Sequence, residues 1–131
     1  MKNEKTILLI DDDESTNRYH EIIIKQLDND ILVHKAKNGR IALDFLESDK
    51  VADYPKLIFL DLNMPVMDGF RFVELYQKSA SFRQHEKKII VLTTSLIPEE
   101  KKKMLENNNI KEFLNKPLNK NMLKEILEEI F

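Results

Sequence analysis

Unbroken apolar runs alternate along this chain with stretches of helical periodicity. Thr6-Ile7-Leu8-Leu9-Ile10, Leu57-Ile58-Phe59-Leu60 and Ile89-Ile90-Val91-Leu92 are continuous blocks of the kind that form strands buried on both faces of a sheet. Ile31 to Ala36 is more polar and suits a sheet edge, and Ile110 to Leu114 is a short fifth strand. Between the runs the period changes. Tyr19, Ile22, Ile23 and Leu27 make an apolar stripe on a helix from Ser15 to Leu27, and Ala42, Leu43, Phe45 and Leu46 make another from Arg40 to Ser48. A third helix follows Gly69, with Phe70, Val73 and Leu75 or Tyr76 inward. Pro98-Glu99-Glu100 has the proline and acids of a first helical turn, and Asn119 caps a last helix carrying Leu123, Ile126, Leu127 and Ile130. Asp28-Asn29-Asp30, Asn38-Gly39, Asp53-Tyr54-Pro55, Pro65 with Asp68-Gly69, the polar stretch Ser79 to Lys87 and Asn107-Asn108-Asn109 are the breaks. Five strand and helix alternations predict an α/β fold, a mostly parallel sheet with helices on both faces, because right-handed crossovers put them there.

The remaining features narrow the possibilities. A length of 131 residues with 42% hydrophobic content suits one domain, residues 1–131, without room for an output domain. The absence of Cys excludes thiolate metal sites and a Cys nucleophile, and suits a reducing cytoplasm. No signal core opens the chain, and no apolar run nears the ~18 residues that span a bilayer, so a membrane role is not expected. A net charge of -2 provides no field to draw the chain to nucleic acid. The two glycines, Gly39 and Gly69, belong to no phosphate-binding loop. His20, His34 and His85 form no ligand motif, and each reads as a surface or boundary residue.

The chemistry lies at the strand ends. In open parallel sheets the residues just beyond the carboxyl ends of the strands meet in space. Here those residues are Asp11, Asp12 and Asp13 after the first strand, Asp61 after the third, Thr93 after the fourth and Lys116 after the fifth. Two like charges ~4 Å apart repel by about 1 kcal/mol in water and about 4 kcal/mol at an effective dielectric near 20, so the acids call for a cation. Mg2+ takes oxygen ligands and uses one or two carboxylates together with phosphate oxygens. Phosphoryl transfer fits such a site. Asp61, alone at its strand end, suits the nucleophile, since a carboxylate attacks without a general base.

With these motifs in order and spacing, the chain resembles the receiver domain of bacterial two-component response regulators along essentially its whole length, in particular the stand-alone type of the chemotaxis response regulator. The resemblance implies a flavodoxin-like, doubly wound five-stranded sheet of order 2-1-3-4-5. It implies that Asp61 accepts phosphate from a histidine kinase or histidine phosphotransfer protein. Asp12 matches the direct Mg2+ ligand, Asp11 the acid acting through water, and Asn63, within Asp61-Leu62-Asn63-Met64-Pro65, the residue whose backbone carbonyl binds the metal. Thr93 matches the switch hydroxyl and Lys116 the phosphate-binding lysine. Lys116-Pro117 resembles the family's cis peptide. The resemblance also implies that Asn63, Thr94 and Ser95 flank the phosphoryl group and tune its hydrolysis. One departure is Phe113, which stands where the switch aromatic is often Tyr, and which reads equally as a core residue.

The expected role is signalling rather than enzymatic turnover: a cytoplasmic receiver that changes its fourth-helix to fifth-helix face and binds a protein target there. Lys101-Lys102-Lys103 lies on that fourth helix, and the run is most simply a solvated helical face. Asp11-Asp12-Asp13 also contains the Asp-x-Asp of haloacid-dehalogenase-like phosphatases, but Glu14-Ser15 stands where that family has Thr or Val, and the chain is short for that fold. A phosphorylation-independent docking module would have no use for an intact set of acids, hydroxyl and lysine.

Overall fold

The computed structural model of the chain describes residues 5–47, 55–62, 64–78, 88–94, 97–107, 109–116 and 118–131. Its elements are β1 (Thr6–Ile10), α1 (Glu14–Leu27), β2 (Leu32–Ala36), α2 (Gly39–Glu47), β3 (Leu57–Asp61), α3 (Gly69–Lys78), β4 (Ile89–Thr93), α4 (Pro98–Leu105), β5 (Ile110–Asn115) and α5 (Lys120–Ile130). The strands form one sheet of order β2-β1-β3-β4-β5, every pairing parallel, as the resemblance implies. β1, β3 and β4 are buried at every position, which is why their sequences are unbroken apolar runs. β2 and β5 are the edges and carry partly or fully exposed residues at most positions.

Because side chains alternate along a strand, each central run divides between two cores. Leu8, Ile10, Ile58, Leu60, Ile89 and Val91 pack with α2, α3 and α4 around Leu43, Phe72, Tyr76 and Met104. Ile7, Leu9, Leu57, Phe59, Ile90 and Leu92 pack with α1 and α5 around Ile24, Leu123 and Leu127. Among the described residues no helix is long and apolar enough to cross a membrane.

Two helices lie in a phase other than the expected one. In α1 the buried face is Asn17, His20, Ile23 and Ile24, while Tyr19 and Ile22 are each 47% exposed. The run Ile22-Ile23-Ile24 supports an apolar stripe on either side, and a one-residue error rotates a helix by about 100°. His20 is consequently a core residue, 1% exposed, contrary to its reading as a surface or boundary group. In α3 the inward residues are Phe72, Val73 and Tyr76, with Phe70 and Leu75 only partly buried. The helix starts at Gly69, and the Asp68 carboxylate accepts from the Arg71 amide at 2.9 Å, so Phe72 and Tyr76, four apart, share the face toward the sheet.

The other helices follow expectation. Asn119 caps α5 by accepting from the Met122 amide at 2.8 Å, and α4 begins with Pro98 and buries only Met104, leaving Lys101, Lys102 and Lys103 exposed. Asp53-Tyr54, Ser79 to Lys87 and Asn108 lie outside the described residues.

Candidate functional site

Register brings the strand ends together. Ile10 pairs with Leu60, so Asp11 and Asp61 follow side by side on adjacent strands. Asp61 pairs with Leu92, and Thr93 with Asn115, which puts Thr93 and Lys116 next along the same edge. The Lys116 amide donates to the Thr93 carbonyl at 3.0 Å. The carboxyl ends of four strands therefore assemble Asp11, Asp61, Thr93 and Lys116, as expected for a parallel sheet.

The side chains converge as well. The Lys116 ammonium lies 2.6 Å from Asp11 Oδ2 and 3.2 Å from Asp61 Oδ1. Asp11, Asp12 and Asp61 each offer an oxygen, and these atoms all lie within 4.8 Å of one another. Asp11 and Asp61 are 4% and 6% exposed, whereas Asp12 faces solvent. Burial by itself pulls the Lys116 ammonium toward losing its proton. The hydrogen bond and charge of Asp11, then the charge of Asp61, outweigh it and hold Lys116 above its ordinary value of 10.5. One ammonium offsets one of the three carboxylates, leaving two uncompensated negative charges. An all-oxygen donor set with that charge, open to water at Asp12, fits a hard divalent cation such as Mg2+.

Asp13 is not part of this group. Its carboxylate caps α1, accepting from the amides of Ser15 at 2.9 Å and Thr16 at 3.4 Å and from the Thr16 hydroxyl at 3.1 Å. That engagement in the helix start also removes it as the second acid of an Asp-x-Asp phosphatase pair. Its own amide donates to Asp11 Oδ1 at 3.0 Å, so Asp11 is held on both oxygens, by backbone and by Lys116.

The segment after Asp61 is tightly constrained. A Cβ on Gly69 would lie 2.8 Å from the Asp61 carbonyl oxygen and from Leu62 Cδ2 and 2.9 Å from Leu62 Cα, so a glycine is needed there by close approach. Val66 has φ 67, an unfavourable conformation for a β-branched residue, within a turn closed by the Met67 amide on the Pro65 carbonyl at 2.7 Å. The Gly39 amide, from the start of α2, donates to the Met67 carbonyl at 3.2 Å and ties the turn down.

Thr93 is fully buried, Thr94 is exposed, and Phe113 is 9% exposed within the core on the α2, α3 and α4 side. Val91 pairs with Phe113, so Thr93 and Phe113 lie on one face of neighbouring strands, one pleat apart. Asn63, Ser95 and Pro117 lie outside the described residues. Sequence reasoning missed Asn17, which is buried and whose Nδ2 donates to the Asp11 carbonyl at 3.1 Å. Its spacing with His20, Ile24 and Leu27 is the helical signal that could have revealed it.

Comparison with known proteins agrees with this architecture. Residues 7–128 match the family model of the response regulator receiver domain. A protein-glutamate methylesterase/protein-glutamine glutaminase of Treponema pallidum is 36% identical over 72 residues, 55% of this chain and 17% of that protein. Protein PilG of Pseudomonas aeruginosa is 31% identical over 78 residues, 59% of this chain and 53% of PilG. The aligned segments thus span about half or less of these two relatives. Among solved structures, a two-component response regulator from Legionella pneumophila superposes with a TM-score of 0.80 at 31% identity, covering 95% of this chain and 96% of that one.

Proposed function

The chain belongs to the response regulator receiver domain family, and from that premise we propose that it works in phosphorelay signalling by accepting a phosphoryl group on Asp61. The observation that carries this reading is the buried cluster in which Lys116 bridges Asp11 and Asp61 with Asp12 at its open side. The donor is a phosphohistidine on a histidine kinase or a histidine phosphotransfer protein. An oxygen of the Asp61 carboxylate attacks phosphorus, the phosphorus–nitrogen bond breaks, and the imidazole nitrogen leaves with the electron pair and takes a proton from solvent.

Asp11, Asp12, Asp61 and the Asn63 carbonyl would hold Mg2+, which supplies positive charge to the phosphoryl oxygens when it is bound. Lys116 turns from its carboxylate partners to the phosphoryl oxygens once the group is in place. The Thr93 hydroxyl meets the same group, and Phe113, on the same sheet face, fills the volume that Thr93 vacates. The group received stays on the chain's own Asp61, so we read the chain as a phosphoacceptor rather than an enzyme with a separate substrate. It takes phosphate from small phosphodonors and loses it to water, with Asn63, Thr94 and Ser95 tuning the loss.

We read the 131 residues as one receiver unit that works in the cytoplasm, without direct contact to nucleic acid or membrane. Its output is a change of the face between α4 and α5 that recruits a protein target. Ile97, just before α4, and Leu105, at its end, are 46% and 45% exposed, with Lys101 and Lys102 exposed between them, which supports that assignment.

Acetyl phosphate with Mg2+, followed by intact-mass spectrometry, tests the proposal. The wild-type chain gains one phosphoryl group and Asp61→Asn gains none. Equal labelling of that variant would overturn the assignment of the nucleophile.

A further inference from the structure

We infer that Asn17 is a positioning residue of the acidic pair, aiming Asp12 by clamping the peptide that joins it to Asp11. This rests on the reading of the site as a Mg2+ centre and adds a residue to it. Asp12 follows the end of β1, is exposed, and gains no support from burial. Its direction depends on the peptide plane before it. The carbonyl of that plane is the Asp11 oxygen, and it accepts from Asn17 Nδ2 at 3.1 Å in a buried setting. The preceding plane is fixed by the sheet, since the Asp11 amide donates to the Ala36 carbonyl of β2 at 3.0 Å. With the Asp11 carboxylate held by the Asp13 amide and Lys116, every polar group of Asp11 has a partner, and Asn17 supplies the one at its carbonyl.

The residue type argues for position over stability. Asn17 is 3% exposed on the core face of α1, where an aliphatic side chain would pack without polar atoms to satisfy. Its Oδ1 has no protein partner among the described residues, and His20 Nε2, one turn further along the same face, has none either. A half-satisfied buried amide is a poor device for stability. What it provides in return is a fixed Asp11 carbonyl. Groups that orient metal ligands from behind typically change metal affinity by about 10- to 100-fold when removed.

Isothermal titration with Mg2+ tests this on wild type, Asn17→Leu, Asn17→Gln and Asp12→Ala, alongside urea unfolding of each in EDTA. Asn17→Leu should bind Mg2+ about 10-fold more weakly while its unfolding midpoint stays level or rises, and Asn17→Gln, which keeps an amide donor, should recover most of the affinity. A purely structural role would instead lower midpoint and affinity together in both variants, and that result would overturn the inference. So would Asn17→Leu binding within about two-fold of wild type. If Asn17→Leu does not fold, Asn17→Ala removes the amide without adding volume and carries the same expectations. The underlying reading fails separately, and takes this inference with it, if Asp12→Ala binds Mg2+ as well as wild type or wild type does not bind at all.

Discussion

Replacing Lys116 by methionine keeps a side chain of similar reach and removes the ammonium that bridges Asp11 and Asp61. Two carboxylate oxygens at the 4.8 Å limit of this cluster repel by about 0.9 kcal/mol in bulk water and about 3.5 kcal/mol at an effective dielectric near 20. The side chains of Asp11, Asp61 and Lys116 are 5%, 7% and 14% exposed, which favours the larger figure for the Asp11 and Asp61 pair. Asp12 faces solvent and adds closer to the smaller one. Removing one partner of a buried pair costs about 3–5 kcal/mol, in agreement. Lys116→Met should therefore lose about 3–4 kcal/mol of unfolding free energy in EDTA, a large part of an ordinary domain's 5–15. Mg2+ should return most of it, since a ligand at 100 times its Kd adds about 2.7 kcal/mol, and the variant's more negative site should bind the ion at least as well as wild type.

Urea unfolding followed by circular dichroism, with and without Mg2+, measures both quantities, and Lys116→Arg serves as a charge-retaining control. The pH arm has a definite sign. Burial lowers the Lys116 pKa, but Asp11 and Asp61 raise it further, to a net value above 10.5. The folded state thus holds this proton more tightly than the unfolded chain, and the stabilisation is complete below pH 10.5 and lost as pH climbs through the raised value. Lys116→Met should lack that alkaline loss. A decrease below about 1 kcal/mol in EDTA would mean that the pair is screened like a surface salt bridge, and would refute the reasoning.

Two further predictions concern residues around the cluster. Burial, against the pull of Asp11, holds the His20 imidazole below its ordinary 6.5, so the unfolded chain takes up a proton that the folded one refuses. Stability should be complete above pH 6.5 and fall as pH drops from there toward the depressed folded value. His20→Leu should flatten that part of the urea-midpoint profile, and an identical slope in wild type and variant would exclude His20 as its source. Gly69→Ala places a methyl 2.8 Å from the Asp61 carbonyl oxygen and 2.9 Å from Leu62 Cα, backbone atoms that cannot swing aside. It should lose about 1–3 kcal/mol in chemical denaturation and weaken Mg2+ binding by shifting Asp61; no change in either would show that the turn after β3 relaxes freely.

The sheet was legible in the chain because β1, β3 and β4 are buried on both faces, a requirement that leaves unbroken apolar runs and little else to read. The grouping of Asp11, Asp61, Thr93 and Lys116 was legible for a related reason: parallel strands point their carboxyl ends one way, so the residues ending each run share an edge. Helix orientation was a different matter. Three consecutive isoleucines in α1 and closely spaced aromatics in α3 satisfy more than one phase, and packing of the whole face against the sheet selects among them. That selection buried Asn17 and His20 and turned Tyr19 outward. The division of labour within Asp11-Asp12-Asp13 was expected from the family resemblance alone, and its physical cause lies in three dimensions. Three identical carboxylates in a row differ only in what the surrounding fold brings to them: Lys116 to the first, solvent to the second and the amides of a helix start to the third.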